Sequence, residues 1–226
     1  MYAKFFKRIL DFVLSLLALM ILSPVLLALT IVGAIVMKGN PFFTQQRPGK
    51  AEKIFKLVKF RTMTCKTDKD GNLLPDEQRL TKYGKFLRST SLDELPELFN
   101  ILLGHMSIVG PRPQLVRDMT FMTTEQRRRH NVTPGLTGLA QVNGRNNITW
   151  EQKFQYDLDY IDNGITLLGD IKILLQTVWV VLKRSDTVRE GTQSDMDFGD
   201  WMLQQGTVTA EEYEEKMQQA KDLLGV

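Results

Sequence analysis

Apolar residues run almost without interruption from position 9 to position 37, broken only by Asp11 and by small or hydroxyl-bearing side chains. An α-helix over these positions would be about 43 Å long at 1.5 Å per residue, more than the roughly 30 Å hydrocarbon thickness of a bilayer. Pro24, near the midpoint, removes one helical hydrogen bond, and the Ser23 hydroxyl is placed to bond the carbonyl so released. The pattern predicts a helix-break-helix kinked at Ser23 and Pro24. Beyond residue 40 the period changes to two: "PFFTQQRPGKAEKIFKLVKFRTMT" alternates apolar and basic residues around the turn signal RPGK. That predicts a β-hairpin, with Lys59 and Arg61 on one face. Residues 96 to 104, 149 to 162 and 169 to 184 repeat at helical spacing. The last of these is so apolar that it must pack, either in a core or on lipid. "DKDGNLLPDEQRL" reads as a polar loop; Asp68, Asp70 and Asn72 alternate as in a calcium loop, but the closing glutamate is missing. After Ser185 the chain turns acidic. Thr209 and Glu212 stand at capping-box spacing, and Tyr213, Met217 and Leu224 form one stripe of a short amphipathic helix.

These elements give an α+β fold, mainly helical with a small β-hairpin, in three parts: a membrane segment (1–39), a body (40–194) and an acidic tail (195–226). Charge refines the picture. The net charge of +3 over 226 residues conceals a basic front and an acidic end. Lys4, Lys7 and Arg8 precede the apolar run, and Lys38, Arg47, Lys50, Lys53, Lys56 and Lys59 follow it. Positive charge on both flanks fits the positive-inside bias when both ends stay cytoplasmic, which describes a monotopic protein with a re-entrant helix. A tilted spanning helix is the other reading. The basic front implies a polyanionic partner such as anionic membrane lipid or a phosphate-bearing ligand. One cysteine, Cys65, and two separated histidines, His105 and His130, exclude a disulfide framework and a Cys/His metal cluster. Any metal would be a hard ion on oxygen ligands.

The candidate chemistry lies in "RSTSLDELPELFNILLGHMSIVGPRP", residues 88 to 113, where Asp93 and Glu94 are adjacent between Arg88 and Arg112. Two structural readings stand beside any catalytic one. Ser91 and Glu94 have capping-box spacing, which would put Asp93 in a first helical turn; alternatively Pro96 opens the helix and the dyad lies outside its mouth. Pro111 and Pro113 fix the backbone on either side of Arg112. Arg88, Arg112, Lys59 and Arg61 together suit a pyrophosphate. Gly135, Gly138 and Gly144 would let backbone approach a ligand, with Arg145 following. There is no P-loop and no GxGxxG. A carboxylate in this setting can attack phosphorus, with its neighbour as general base.

The blocks KRILD (7–11), SP (23–24), FTQQRPG, KFRTM (59–63), RSTSLDELPELFN (88–100), SIVGPRP (107–113) and PGLTGLAQVNGRN (134–146) resemble the small monotopic phosphoglycosyl transferases of bacteria. That resemblance covers residues 1 to about 190. It implies a re-entrant membrane helix, a site at the cytoplasmic face of the inner membrane, and Mg²⁺-dependent ping-pong transfer of a phosphosugar from a UDP-sugar to polyprenyl phosphate. It further implies Asp93 as nucleophile and Mg²⁺ neighbour and Glu94 as base. Arg88, Arg112, Lys59 and Arg61 would be phosphate ligands, and Arg145 and Pro111 would lie toward the nucleotide. Within the family, LPDEQRL and GLAQVNGRN resemble the enzymes that transfer N,N'-diacetylbacillosamine phosphate. No nucleic acid is expected as a partner. The tail lies beyond the resemblance; a homo-oligomer contact is one reading of it. Two other functions compete: a membrane-bound phosphohydrolase of UDP-sugars, and a non-catalytic adaptor whose basic hairpin binds lipid.

Overall fold

The structure is a computed structural model that describes residues 1–144, 148–183 and 196–225. Its long first helix is α1 (Lys7–Met37). The hairpin β1 (Phe42–Pro48) and β2 (Ile54–Phe60) follows, paired antiparallel from Phe42↔Phe60 to Pro48↔Ile54. Two helices, α2 (Asp76–Arg79) and α3 (Lys82–Thr90), lead through a 3₁₀ turn (Leu92–Glu94) into α4 (Glu97–Leu103). Strand β3 (Ser107–Val109) is followed by α5 (Val116–Phe121) and α6 (Thr124–Arg127), and β4 (Gly135–Thr137) then pairs parallel with β3. The chain continues through α7 (Leu139–Val142), α8 (Trp150–Asp162) and α9 (Leu167–Lys183) to α10 (Phe198–Gln204) and α11 (Ala210–Leu224). The α+β, mainly helical class expected from the pattern is the one found.

The expected break in the membrane helix is not: α1 continues through Pro24. The carbonyl that Pro24 orphans, four residues back, is that of Met20, and Ser23 Oγ donates to it at 2.8 Å. With that group satisfied the helix has no need to open. One stripe of α1, Lys7, Asp11, Ser15 and Leu19, is buried at four-residue spacing, and Gly33 is buried near the far end. Leu19 joins Phe55, Leu57, Leu98, Ile101 and Met106 in a core cluster that Leu22 and Leu26 cover. Phe12, Leu16, Met20, Ile21, Leu27, Ile31 and Ile35 are exposed around the rest of the helix.

Both ends of α1 are tied to the same body. Lys7 Nζ pairs with Asp170 Oδ2 at 2.6 Å, Arg8 donates to the carbonyls of Ile101 and Leu102, and Asp11 Oδ1 accepts from the Ile108 amide at 3.0 Å. The single acid of the apolar run thus positions β3. At the other end Tyr83 Oη donates to Leu29 O at 2.8 Å, and Gly33 lies so close to Pro41 that an added Cβ would sit 3.0 Å from that ring.

Helix α9, legible as core or lipid-facing, contributes one side to the core and leaves the other exposed. Asp170 and Ile173 are buried, while Leu168, Ile171, Leu175, Val178, Trp179 and Leu182 are exposed along the other side. The tail packs against the body. Phe198, with Trp201 and Tyr213 around it, packs on Phe121, Trp150 and Phe154, and the Thr209–Glu212 capping box is formed. Arg117 pairs with Asp197 and Asp200, tying the tail's acids to the body.

Candidate active site

The hairpin supplies one wall. Because paired positions share a face, Phe43, Gln45 and Arg47 of β1 lie on the side of Lys59, and Arg61 continues it. A single cleft of about 660 Å³ is lined by these residues and by Arg88, Asp93, Glu94, Arg112, Gln114, Gln141, Lys153 and Asp157. Six of the residues singled out in the sequence, Lys59, Arg61, Arg88, Asp93, Glu94 and Arg112, therefore meet in one place. Pro111 does not line this cleft; it is buried, with its carbonyl accepting from Gly135 N at 2.9 Å. Arg145 lies outside the described residues.

The dyad lies in the 3₁₀ turn ahead of α4, whose N-cap is Pro96. Ser91 makes no side-chain cap; it closes α3 in the left-handed conformation (φ 56°) and turns the chain into the dyad. Asn100 then locks α4 onto the hairpin, donating to Lys56 O at 2.8 Å and accepting from Val58 N at 3.1 Å.

Asp93 and Glu94 occupy opposite electrostatic positions. Glu94 pairs with Arg112 and, at 2.9 Å, with Lys59. Burial opposes its charge, but Arg112 and Lys59 overcome that and hold its carboxyl well below the usual carboxylate range. Lys59 also meets the fully buried Glu97 at 3.1 Å, and burial pushes the Glu97 carboxyl up. Asp93 makes no ion pair among the described residues. Burial and then the Glu94 charge push its carboxyl up, with Lys59, Arg112 and Arg88 pulling the other way.

Behind the dyad, backbone packing fixes the Arg112 loop. A Cβ on Gly135 would lie 2.1 Å from Gly110 N, and one on Gly138 would lie 2.2 Å from Gly110 O. Gly135 and Gly138 thus serve close approach between backbone segments. Arg129, missed in the sequence, is 2 % exposed; it pairs with Asp157 at 2.7 Å and donates to Arg112 O at 2.6 Å. Glu97 and Gln141 were missed too, and the amide of Gln141 is buried at the cleft with no hydrogen-bond partner among the described residues. Glu97 repeats one turn after Glu94 in a helix of apolar neighbours, a signal that was there to read.

No trio of His, Cys, Asp or Glu side chains converges as a metal cage among the described residues. Mg²⁺ needs only one or two carboxylates when phosphate oxygens complete its shell. A carboxylate whose ionisation is disfavoured by burial and by a neighbouring anion is one that a divalent cation would relieve, so Asp93 fits such an ion.

The bacterial sugar transferase family matches residues 2–184. The chain is 50% identical over 188 residues to the sugar transferase EpsL of Bacillus subtilis (strain 168), covering 83% of this chain and 90% of that one. It is 43% identical over 184 residues to the UDP-glucose:undecaprenyl-phosphate glucose-1-phosphate transferase of Klebsiella pneumoniae, covering 77% of this chain and 39% of the relative. The undecaprenyl-phosphate galactose phosphotransferase of Salmonella typhimurium (strain LT2) is 37% identical over 201 residues, 80% of this chain and 41% of its own. The chain thus spans about two-fifths of these two longer relatives. With the match running through the hairpin, the dyad and the Arg112 loop, the chain belongs to the bacterial sugar transferase family.

Proposed function

We propose that this protein is a phosphoglycosyl transferase that moves a phosphosugar from a UDP-sugar to undecaprenyl phosphate, releasing UMP, in glycoconjugate synthesis. The observation that carries the mechanism is the division of the dyad. Asp93 faces the cleft with no ion pair among the described residues, while Glu94 is held by Arg112 and Lys59. An Asp93 carboxylate oxygen attacks the β-phosphorus of the UDP-sugar, and the bond to UMP breaks with its electron pair leaving on the UMP oxygen. Asp93 then carries the phosphosugar as an acyl phosphate. A phosphate oxygen of undecaprenyl phosphate attacks the same phosphorus, and the Asp93 carboxylate departs.

Arg88, Arg112, Lys59 and Arg61 draw charge off the phosphoryl oxygens. As phosphate engages Arg112 and Lys59, their hold on Glu94 weakens and its proton affinity rises, which suits it to accept the proton of the incoming prenyl phosphate. Mg²⁺ held by Asp93 and the diphosphate would supply further neutralisation of that charge.

The same reading makes the protein monotopic at the cytoplasmic face of the inner membrane. The docking of both ends of α1 on one body supports a helix that lies in the near leaflet rather than one that crosses the bilayer. The hydrogen bond missing at Pro24 is where it can bend into that re-entrant path. The exposed face of α9 lies on the same lipid, and the basic flanks of α1 meet anionic headgroups.

Intact-mass measurement after incubation with Mg²⁺ and UDP-glucose, UDP-galactose or UDP-N,N'-diacetylbacillosamine, without undecaprenyl phosphate, tests the mechanism. A phosphosugar adduct is expected on wild type and not on Asp93→Asn. UMP release that requires undecaprenyl phosphate, with no adduct from any donor, would replace the covalent step by direct transfer.

A further inference from the structure

Arg47 stands in β1 on the cleft side, two residues from Gln45 and across from Phe55. Its guanidinium borders both the main cleft and a smaller adjoining chamber of about 270 Å³; Lys59, Arg112 and Gln114 line both spaces too. The neighbouring Arg112 has an anionic partner, Glu94. Arg47 donates instead to two neutral acceptors, Pro113 O at 3.3 Å and Gln45 Oε1 at 2.7 Å, and its Nε is buried with no hydrogen-bond partner among the described residues. Among the described residues it forms no ion pair.

A buried guanidinium beside a second one is unfavourable until an anion completes it. Burial, and then repulsion from Arg112, pull Arg47 down to about 10, although the carboxylates of Asp118, Glu97 and Glu94 pull the other way; none of the three bonds the guanidinium. Propping the loop at Pro113 would not require a charge, because a neutral amide can donate to the same carbonyl.

We propose that Arg47 and Arg112 form a two-guanidinium clamp for a substrate phosphate, which makes Arg47 a further phosphate-binding residue of this site. Two planar forks on one wall match the oxygens of a diphosphate or of a phosphate monoester. The sources are the nucleoside diphosphate donor and the prenyl phosphate acceptor. The clamp rests on the transferase reading of the cleft, and the wild-type protein tests that reading by itself.

The full chain in detergent is titrated by calorimetry with inorganic pyrophosphate, and separately with a prenyl monophosphate in the micelle. Wild type, Arg47→Gln and Arg47→Lys are compared, with Tm recorded for each. Arg47→Gln is expected to weaken one ligand at least tenfold at little change in Tm, and Arg47→Lys to weaken it about threefold, since it keeps the charge but loses the fork. Loss confined to pyrophosphate assigns the clamp to the donor, and loss confined to the prenyl phosphate assigns it to the acceptor. Wild-type affinity for both ligands in either folded variant overturns the clamp while leaving the cleft reading intact. Absence of binding to wild type overturns both.

Discussion

Asp93 and Glu94 differ by one position in the chain and by the sign of their environment. For Asp93 the raised pKa means that the folded protein holds its proton more firmly than the unfolded chain does. Its contribution is therefore favourable at low pH and is lost as pH rises through the raised value. Asp93→Asn removes that penalty, so the variant should be inactive and yet melt above wild type at pH 7 to 8, with the gap closing toward pH 4. Glu94 has the opposite sign: its stabilisation is full above the ordinary carboxylate range and is lost as pH falls through its lowered value. Glu94→Gln strands Arg112 and Lys59 and should melt below wild type at pH 7, by roughly 2–4 °C for each kcal/mol removed. Thermal melts of both variants from pH 4 to 8 check the two signs. The sequence showed the dyad and the cations around it, because adjacent acids between arginines are rare enough to notice. It did not show which acid was paired, since that depends on where Lys59 and Arg112 come to rest in space. Arg47 was open to the same alternation argument that placed Lys59 and Arg61, carried onto the facing strand.

At the level of elements, the hairpin and the helical periods at 96–104, 149–162 and 169–184 were legible in the sequence. The parallel pair β3 and β4 was not, for each strand has three residues and the pairing joins segments far apart in the chain. Its determinants are glycines whose purpose is contact between backbones. Gly135→Ala would bring a methyl to 2.1 Å from Gly110 N and 2.5 Å from Thr137 O, too close for either neighbour to accept. The pair must part, carrying the Arg112 loop with it. We expect a destabilisation of several kcal/mol, of the size seen for overpacking and more, with turnover falling further than Tm alone explains. Circular dichroism melts and steady-state kinetics on the same preparation separate the two effects. Gly71→Ala is the comparison, since open space surrounds that residue and only its positive φ (86°) resists the change.

For the whole molecule, the arrangement of α1 makes a topological prediction. Cysteines placed at Lys4 and Lys38, in a Cys65→Ser background, should both react with a membrane-impermeant maleimide from the cytoplasmic side of sealed inverted vesicles. Reaction of the two from opposite sides would establish a spanning helix. The apolar run itself was plain in the sequence; its docking was hidden, because Lys7, Arg8 and Asp11 look like membrane flank and anomaly until Asp170, Ile101 and Ile108 are brought to them.

Leu19, Leu22 and Leu26 lie in the same core as Leu57, Leu98 and Ile101. Anchor and enzyme therefore cannot be separated by cutting the chain at residue 40: the remainder would expose the floor of its own core, and a fragment of residues 40–226 should be recovered as aggregate or as a protease-sensitive chain rather than as soluble enzyme. Gel filtration and limited proteolysis of that fragment decide the point. On the ribosome α1 emerges some seventy residues ahead of the α4 side chains that will cover it. With α1 in a bilayer, as the monotopic reading has it, lipid would shelter its apolar stripe until those side chains arrive, and loss of membrane contact during synthesis should lower the yield of active enzyme.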